Sequence, residues 1–140
     1  MPIKLVIDAS ALVKYLLHEE GWTNVRTLFD QAIEGSFELH SVDLVLKEVG
    51  SALQRYVSSG SSREVTSKIY HQLLSQTIIS YHRQDASILG GAFDLALQNE
   101  LSIYDAVYLV LARNLRAELV TSDGRQAAVA KAIMKVHEVR

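Results

Sequence analysis

Four acidic residues of this chain could do chemistry together: Asp8, Glu48, Asp105 and Asp123. Asp8 directly follows the apolar run Ile3–Ile7, and Asp123 directly follows a second β-rich run. Like charges at short range repel and raise one another's pKa, so a chain that gathers four carboxylates usually has a cation to hold. Carboxylate oxygens suit a hard divalent metal. A hard-metal site is therefore the leading hypothesis.

Three of these acids also fit a purely structural role. Asp8 could cap the helix that follows the first strand, and Asp123 could cap a later helix. Asp105 lies three residues after Ser102, which matches a capping-box pattern. Each acid taken singly therefore leaves both interpretations open.

Glu48 is harder to explain as a structural residue. It lies between Val45, Val49 and Ala52 on the apolar face of an expected helix. A glutamate on such a face is rarely buried without a partner. The alternative is that Glu48 lies at the edge of the core and keeps its carboxylate in water.

Other reaction chemistries lack their residues. The chain has no cysteine, which excludes thiolate metal sites and thiol nucleophiles. The five histidines show no HxH or HExxH spacing, and GxSxG, GxGxxG and GxxxxGK[ST] patterns are absent. Acid-based chemistry therefore stays the best-supported interpretation.

Short β-rich runs alternate with longer helical patterns, which predicts a single α/β domain over residues 1–140 with a mainly parallel sheet of four to five strands. We expect strands near residues 4–7, 37–40, 77–81, 118–121 and 135–139. We expect helices near residues 11–17, 24–33, 42–56, 63–75, 86–99, 103–114 and 125–134. Thr23 and Ser41 are the expected caps of the second and third helices.

Ligands of open parallel sheets bind beyond the carboxyl ends of the strands, near the point where strand order reverses. Asp8 and Asp123 both follow strands, so both are expected at this edge. Glu48 and Asp105 lie early in helices, where they can still reach it.

The overall composition constrains location and partners. The net charge of −2 gives no global attraction for a polyanion, so a nucleic acid would have to be held by local basic residues or through metal. No apolar run approaches the roughly 20 residues of a membrane span, and the first residues do not form a signal peptide. We expect a cytoplasmic protein with no membrane partner.

Four segments in order resemble the successive motifs of PIN domains, and especially those of small VapC-like toxin ribonucleases. These segments are residues 5–10 (LVIDAS), 48–53 (EVGSAL), 104–112 (YDAVYLVLA) and 119–123 (LVTSD). They span nearly the whole chain. One motif alone would be weak, whereas four in the family's order and spacing are specific.

This resemblance implies a three-layer α/β/α fold and an endoribonuclease that depends on Mg²⁺ or Mn²⁺. Asp8, Glu48, Asp105 and Asp123 match the acidic quartet of the family, and Ser10 and Thr121 match its hydroxyl positions. The resemblance also implies a homodimer and an inhibitory VapB-like antitoxin. The segment 122–125 (SDGR) carries one acid where some relatives carry two, which leaves the number of metal ions open.

Our hypothesis assigns the principal metal to Asp8 and Asp105, with Glu48 and Asp123 completing the site or orienting its water. Ser10 and Thr121 would position phosphate or that water. Lys14, Lys47 and Arg125 could contact the RNA backbone, although a plain surface charge is the more common role for such residues. The alternatives are a catalytically silent PIN-fold scaffold or RNA-binding module, and a metal nuclease that acts on DNA.

Overall fold

A computed structural model describes residues 1–140 and contains five strands and seven helices. The strands are β1 (Ile3–Ile7), β2 (Phe37–Val42), β3 (Ile79–His82), β4 (Glu118–Thr121) and β5 (Val136–Glu138). The helices are α1 (Ala9–Leu16), α2 (Trp22–Ile33), α3 (Leu44–Ser58), α4 (Arg63–Ser75), α5 (Ala86–Asn99), α6 (Ile103–Leu115) and α7 (Gly124–Ala130).

The five strands form one sheet in the order β3-β2-β1-β4-β5, and every neighbouring pair is parallel. The predicted parallel α/β architecture is confirmed. The sheet has five strands, within the expected range of four to five. From β1 the chain first builds outward to β2 and β3 and then crosses to β4 on the other side of β1. Strand order therefore reverses between β1 and β4.

The connections place helices on both faces of the sheet. Helices α1 to α4 link β1, β2 and β3 toward one edge, whereas α5 to α7 link β3, β4 and β5 toward the other. Parallel crossovers are almost always right-handed. The two groups of helices, which connect strands toward opposite edges of the sheet, therefore cover opposite faces. Accordingly, α6 packs across β1, β2 and β4, while α1 packs against α2 and α3. The fold has the expected three layers.

The central strands and α6 form the core. Leu5, Val6 and Ile7 of β1 are all buried, as expected for a strand covered on both faces. Seven consecutive residues of α6, from Ala106 to Ala112, are also buried. The middle of this helix is therefore enclosed on all sides rather than amphipathic. None of the helices combines the length and apolar composition that a membrane span requires.

Two predicted helix caps are wrong. Helix α2 begins one residue before Thr23, and its N-cap is Gly21, which has a φ of 87°. A Cβ at Gly21 would lie 1.7 Å from the carbonyl oxygen of Arg140, so the close approach of the two segments requires glycine. Ser41 is the other wrong cap. It lies within β2 and donates from its hydroxyl to the carbonyl of Ile7, 2.6 Å away.

Candidate active site

The sheet edge at the switch between β1 and β4 carries a buried acid. Asp8 follows the last residue of β1 and is only 2 % exposed, and the neighbouring β4 ends at the buried Thr121. Both residues lie at the carboxyl ends of their strands. The structure therefore places the first predicted site residue where open parallel sheets bind ligands.

Asp8 is held by three hydrogen-bond donors. The Ser10 hydroxyl and the Ala11 backbone N–H both donate to Oδ1, at 2.7 and 2.9 Å. The Thr121 hydroxyl donates to Oδ2 at 2.5 Å. The Ala11 contact makes Asp8 the N-cap of α1, so the capping interpretation is correct. Capping explains only the contact from the Ala11 N–H to Oδ1. It does not explain the contacts from the Ser10 and Thr121 hydroxyls.

Burial raises the pKa of Asp8 to about 6. Desolvation is the largest cause, because the charged form loses its water. The hydrogen bonds from Thr121, Ala11 and Ser10 lower the pKa and offset part of this effect, while the charge of Asp123 raises it. Asp8 is thus a carboxylate whose negative charge is only partly compensated by the protein.

Ser10 and Thr121 connect Asp8 to the segment that carries Asp123. Their hydroxyl oxygens are 3.2 Å apart. The Ser10 hydroxyl accepts from the Ser122 N–H at 3.0 Å, and the Thr121 hydroxyl accepts from the Asp123 N–H at 3.0 Å. Both predicted hydroxyl residues therefore lie in a single hydrogen-bond network that fixes the end of β4 against Asp8.

Asp123 is half-buried at the N-cap of α7. Its Oδ1 accepts from the backbone N–H groups of Arg125 and Gln126, at 2.9 and 3.2 Å. Its negative charge raises the pKa of both Asp8 and Asp105. Asp123 therefore caps a helix and also lies close enough to two other acids to act on them electrostatically.

Asp105 lies in the first turn of α6. A helix that leads into a parallel strand runs back from the carboxyl edge of the sheet, so the start of α6 lies at the same edge as Asp8. The Asp105 N–H donates to the Ser102 hydroxyl at 3.1 Å, which is one half of the predicted capping box. Burial raises the pKa of the Asp105 carboxyl. Interaction of the Ser102 hydroxyl with the carboxyl lowers this pKa, the charge of Asp123 raises it, and the charge of Arg125 lowers it.

Glu48 is half-buried on α3, and it does have a partner. The Tyr108 hydroxyl of α6 donates to its Oε1 at 2.5 Å. Burial raises the pKa of Glu48, the Tyr108 hydrogen bond lowers it, and the charge of Asp105 raises it. The interpretation of Glu48 as a residue that simply keeps its carboxylate in water is therefore insufficient.

Two residues of the site were missed in the sequence: Tyr108 and Gln126. Gln126 is 1 % exposed, and its Nε2 donates to the backbone carbonyl of Asp105 at 3.0 Å. The spacing from Asp123 to Gln126 matches a capping box, which would have drawn attention to this glutamine. In the structure its amide joins α7 to α6 instead, and its Oε1 lies 3.4 Å from the Thr121 hydroxyl.

The three basic residues proposed to contact RNA have different surroundings. Lys47 is exposed on α3 next to Glu48. Lys14 donates to the carbonyl of Glu20 at 2.7 Å. Arg125 donates to the carbonyl of Glu100 at 2.5 Å and also lowers the pKa of Asp105. Contact of these residues with RNA stays a prediction.

The donor set agrees with the chemistry of a hard divalent cation. All four carboxylates supply oxygen, and their charges act on one another in the pairs Asp8–Asp123, Asp105–Asp123 and Glu48–Asp105. No three acidic or histidine side chains converge closely enough to ligate one ion. Mg²⁺ is commonly held by one or two carboxylates, with waters and substrate phosphate as the other ligands. The residues present therefore fit such an ion without forming a preassembled cage.

Comparison with known proteins gives the same class as the fold and the site. The PIN domain family model matches residues 5–132. Ribonuclease VapC3 of Pyrobaculum aerophilum is 32 % identical over 131 residues, which cover 90 % of this chain and 93 % of that protein. The chain therefore belongs to the PIN-domain family. The predicted resemblance to VapC-like members is confirmed.

Solved structures share the fold at low sequence identity. A crystal structure of a Pyrobaculum aerophilum protein superposes with a TM-score of 0.67 at 24 % identity, covering 96 % of this chain and 92 % of that one. VapBC2 of Rickettsia felis, bound to a promoter DNA fragment, gives 0.68 at 16 % identity and coverages of 99 % and 100 %. VapC20 of Mycobacterium tuberculosis, a toxin that cleaves the sarcin–ricin loop, gives 0.68 at 15 % identity and coverages of 89 % and 93 %.

Proposed function

We propose that this protein is a Mg²⁺- or Mn²⁺-dependent endoribonuclease that hydrolyses RNA phosphodiester bonds, and that it is the toxin of a VapBC-type toxin–antitoxin pair. The observation that carries the proposal is the buried Asp8 at the switch between β1 and β4, with Asp123 close enough to raise its pKa. Similarity to a protein named ribonuclease VapC3 supports the choice of RNA as substrate.

In this proposal Asp8 and Asp105 hold the principal cation, and Glu48 and Asp123 complete its ligand set or accept hydrogen bonds from its water. A bound divalent cation lowers the pKa of a coordinated water and neutralises charge on the phosphoryl oxygens. Thr121 keeps Asp8 in place through Oδ2. The raised pKa of Asp8 is the expected property of a carboxylate whose environment is completed by a positive ligand.

The RNA backbone would be held locally, because the net charge of the chain is −2. Lys47 lies beside Glu48 on the exposed side of α3. Arg125 lies close enough to Asp105 to lower its pKa. Lys14 borders a small polar pocket with Ser122, next to the Ser10 network. These three residues are the candidates that we propose for contact with the RNA backbone.

Two apolar surfaces support the expected protein partners. A groove of about 710 Å³ between α1, α2 and α4 is lined by apolar residues including Leu12, Phe29 and Ile69. We assign it to a VapB-like antitoxin, because solved relatives include VapBC pairs. On α5, Leu89, Phe93 and Leu97 are exposed at helical spacing. This second surface suits a second copy of the chain in a homodimer.

The proposal is tested by cleavage of matched RNA and DNA substrates with Mg²⁺ or Mn²⁺. Asp8→Asn and Asp105→Asn should each lower RNA cleavage by about 100-fold or more, since each removes a charge that the cation requires. Glu34→Gln is the matched control, because Glu34 is an exposed acid at the end of α2. Its cleavage rate should equal that of the parent.

Three outcomes would contradict the proposal. Unchanged cleavage in both Asp8→Asn and Asp105→Asn would remove the acids from the mechanism. Preferential cleavage of DNA would assign the site to a different nuclease. Absence of both cleavage and Mn²⁺ binding in the parent protein would favour a silent scaffold.

A further inference from the structure

Tyr108 links the core of the protein to Glu48, one of the four acids of the candidate site. It lies on α6, one turn after Asp105, and is 1 % exposed. Its hydroxyl crosses to α3 and donates to Oε1 of Glu48 at 2.5 Å. A buried tyrosine normally finds a partner for its hydroxyl. Here that partner is a carboxylate of the proposed metal site.

The Tyr108 hydroxyl lies among several negative charges. Its pKa is raised far above the ordinary value, first by burial, then by its hydrogen bond to Glu48, and then by the charges of Glu48, Asp8 and Asp105. Loss of the proton would add another negative charge to this cluster. A carboxylate only accepts hydrogen bonds, so the Tyr108 hydroxyl is the donor in this contact.

We propose that Tyr108 is a positioning residue that orients Glu48 for its role in the nuclease site. The hydroxyl occupies Oε1 and restrains the side chain, which leaves Oε2 available to a cation or its water. A hydrogen bond to a charged acceptor is stronger than one between neutral groups, so a single donor suffices for this restraint. This inference depends on the proposed function, because positioning matters only if Glu48 serves the reaction.

The competing explanation is that Tyr108 simply fills the core and happens to satisfy its hydroxyl. Tyr108 belongs to the buried hydrophobic core, so substitution by alanine would leave a cavity and disturb the fold for that reason alone. Tyr108→Phe separates the two explanations, because it keeps the ring and removes only the oxygen.

Tyr70 of α4 provides a matched control, because it also bonds to α3. Its hydroxyl donates to the backbone carbonyl of Leu46 at 2.7 Å rather than to a carboxylate. Tyr70→Phe therefore removes a tyrosine hydrogen bond to the same helix without touching a carboxylate of the site. Both variants should unfold within a few degrees of the parent protein.

The experiment measures Mn²⁺ affinity by calorimetry and RNA cleavage with saturating Mn²⁺. Residues that orient metal ligands typically change metal affinity or activity by about 10- to 100-fold when they are substituted. Tyr108→Phe should weaken Mn²⁺ binding and lower kcat within that range, with KM for RNA nearly unchanged. Tyr70→Phe should match the parent in all three quantities.

A double-mutant cycle with Glu48→Gln tests whether Tyr108 acts through Glu48. In the Glu48→Gln background, Tyr108→Phe should cause little further loss of Mn²⁺ affinity or kcat, because the residue that it orients is already inactivated. Fully additive losses would overturn the proposal, since they would mean that Tyr108 acts independently of Glu48.

Failure of this inference is distinguishable from failure of the proposed function. If the parent protein cleaves RNA and Tyr108→Phe binds Mn²⁺ and cleaves as the parent does, the positioning role is wrong and the nuclease function stands. If the parent neither binds Mn²⁺ nor cleaves RNA, the proposed function fails, and the positioning role fails with it.

Discussion

The Thr121 hydroxyl donates to Asp8 Oδ2 at 2.5 Å, and this contact joins the end of β4 to the end of β1. The same hydroxyl accepts from the Asp123 N–H at 3.0 Å. One threonine at the strand-order switch thus orients a buried acid and fixes the backbone of a second one. A residue that appears in the sequence as the last position of a strand is a central element of the site.

Thr121→Val should impair the protein more than Thr121→Ser, because valine keeps the shape of threonine but has no hydroxyl. Loss of the hydroxyl leaves Asp8 Oδ2 without a donor and the Asp123 N–H without an acceptor, at a cost of about 1–3 kcal/mol each in the free energy of unfolding. Urea denaturation and RNA cleavage of both variants provide the measurement. Equal behaviour of the two would show that the hydroxyl is dispensable.

Asp8 should make the metal-free protein less stable as the pH rises. Its pKa is 3.8 in the unfolded chain and about 6 in the folded one. Between these values the folded state binds a proton that the unfolded state releases, so the free energy of unfolding falls with rising pH. The contribution of Asp8 is present below pH 4 and is lost above pH 6.

The size of this effect is about 3 kcal/mol, since one pKa unit corresponds to about 1.4 kcal/mol. Asp8→Asn removes this pH dependence. Between pH 4 and pH 7 the parent should therefore lose about 3 kcal/mol of stability relative to the variant. Urea denaturation in EDTA measures both proteins across this range. A difference that does not change with pH would mean that Asp8 titrates normally.

Asp123→Asn and Asp123→Ala should separate the capping role of this residue from its proposed catalytic role. Asparagine still accepts the N–H groups of Arg125 and Gln126, so α7 should keep its cap, whereas alanine costs about 0.5–2 kcal/mol. Both variants lose the negative charge and should cleave RNA poorly. Full activity in the asparagine variant would reduce Asp123 to a helix cap.

The features that local sequence determines were predictable. Apolar runs followed by an acid located β1 and β4, and the order of the motifs placed Asp8 and Asp123 at one edge of a parallel sheet. The helix-capping alternatives were also correct for Asp8 and Asp123, because capping depends on residues two or three positions away.

The contacts that complete the site could not be predicted in this way. Tyr108 and Glu48 are 60 residues apart, and Gln126 and Asp105 are 21 apart. Such pairs depend on how α3, α6 and α7 meet, which no local pattern specifies. The wrong caps have a similar cause. Ser41 lies in β2 rather than at a helix cap, and its hydroxyl donates to the Ile7 carbonyl on the neighbouring strand, a contact between residues far apart in sequence.

Gln126 should be required for the position of Asp105, although it carries no charge. Its buried amide donates to the Asp105 carbonyl at 3.0 Å and holds the start of α6 against α7. Gln126→Leu fills a similar volume but leaves that carbonyl without this donor, which should cost about 1–3 kcal/mol and should also weaken Mn²⁺ binding.

Gln126→Glu keeps the length of the side chain but replaces the donating amide with a group that is acceptor-only when ionised. It also adds a fifth acid beside the four, so it should be destabilised further at neutral pH and partly recover at low pH. Denaturation and Mn²⁺ titration of both variants test this, and parental Mn²⁺ affinity in Gln126→Leu would contradict the proposed link to Asp105.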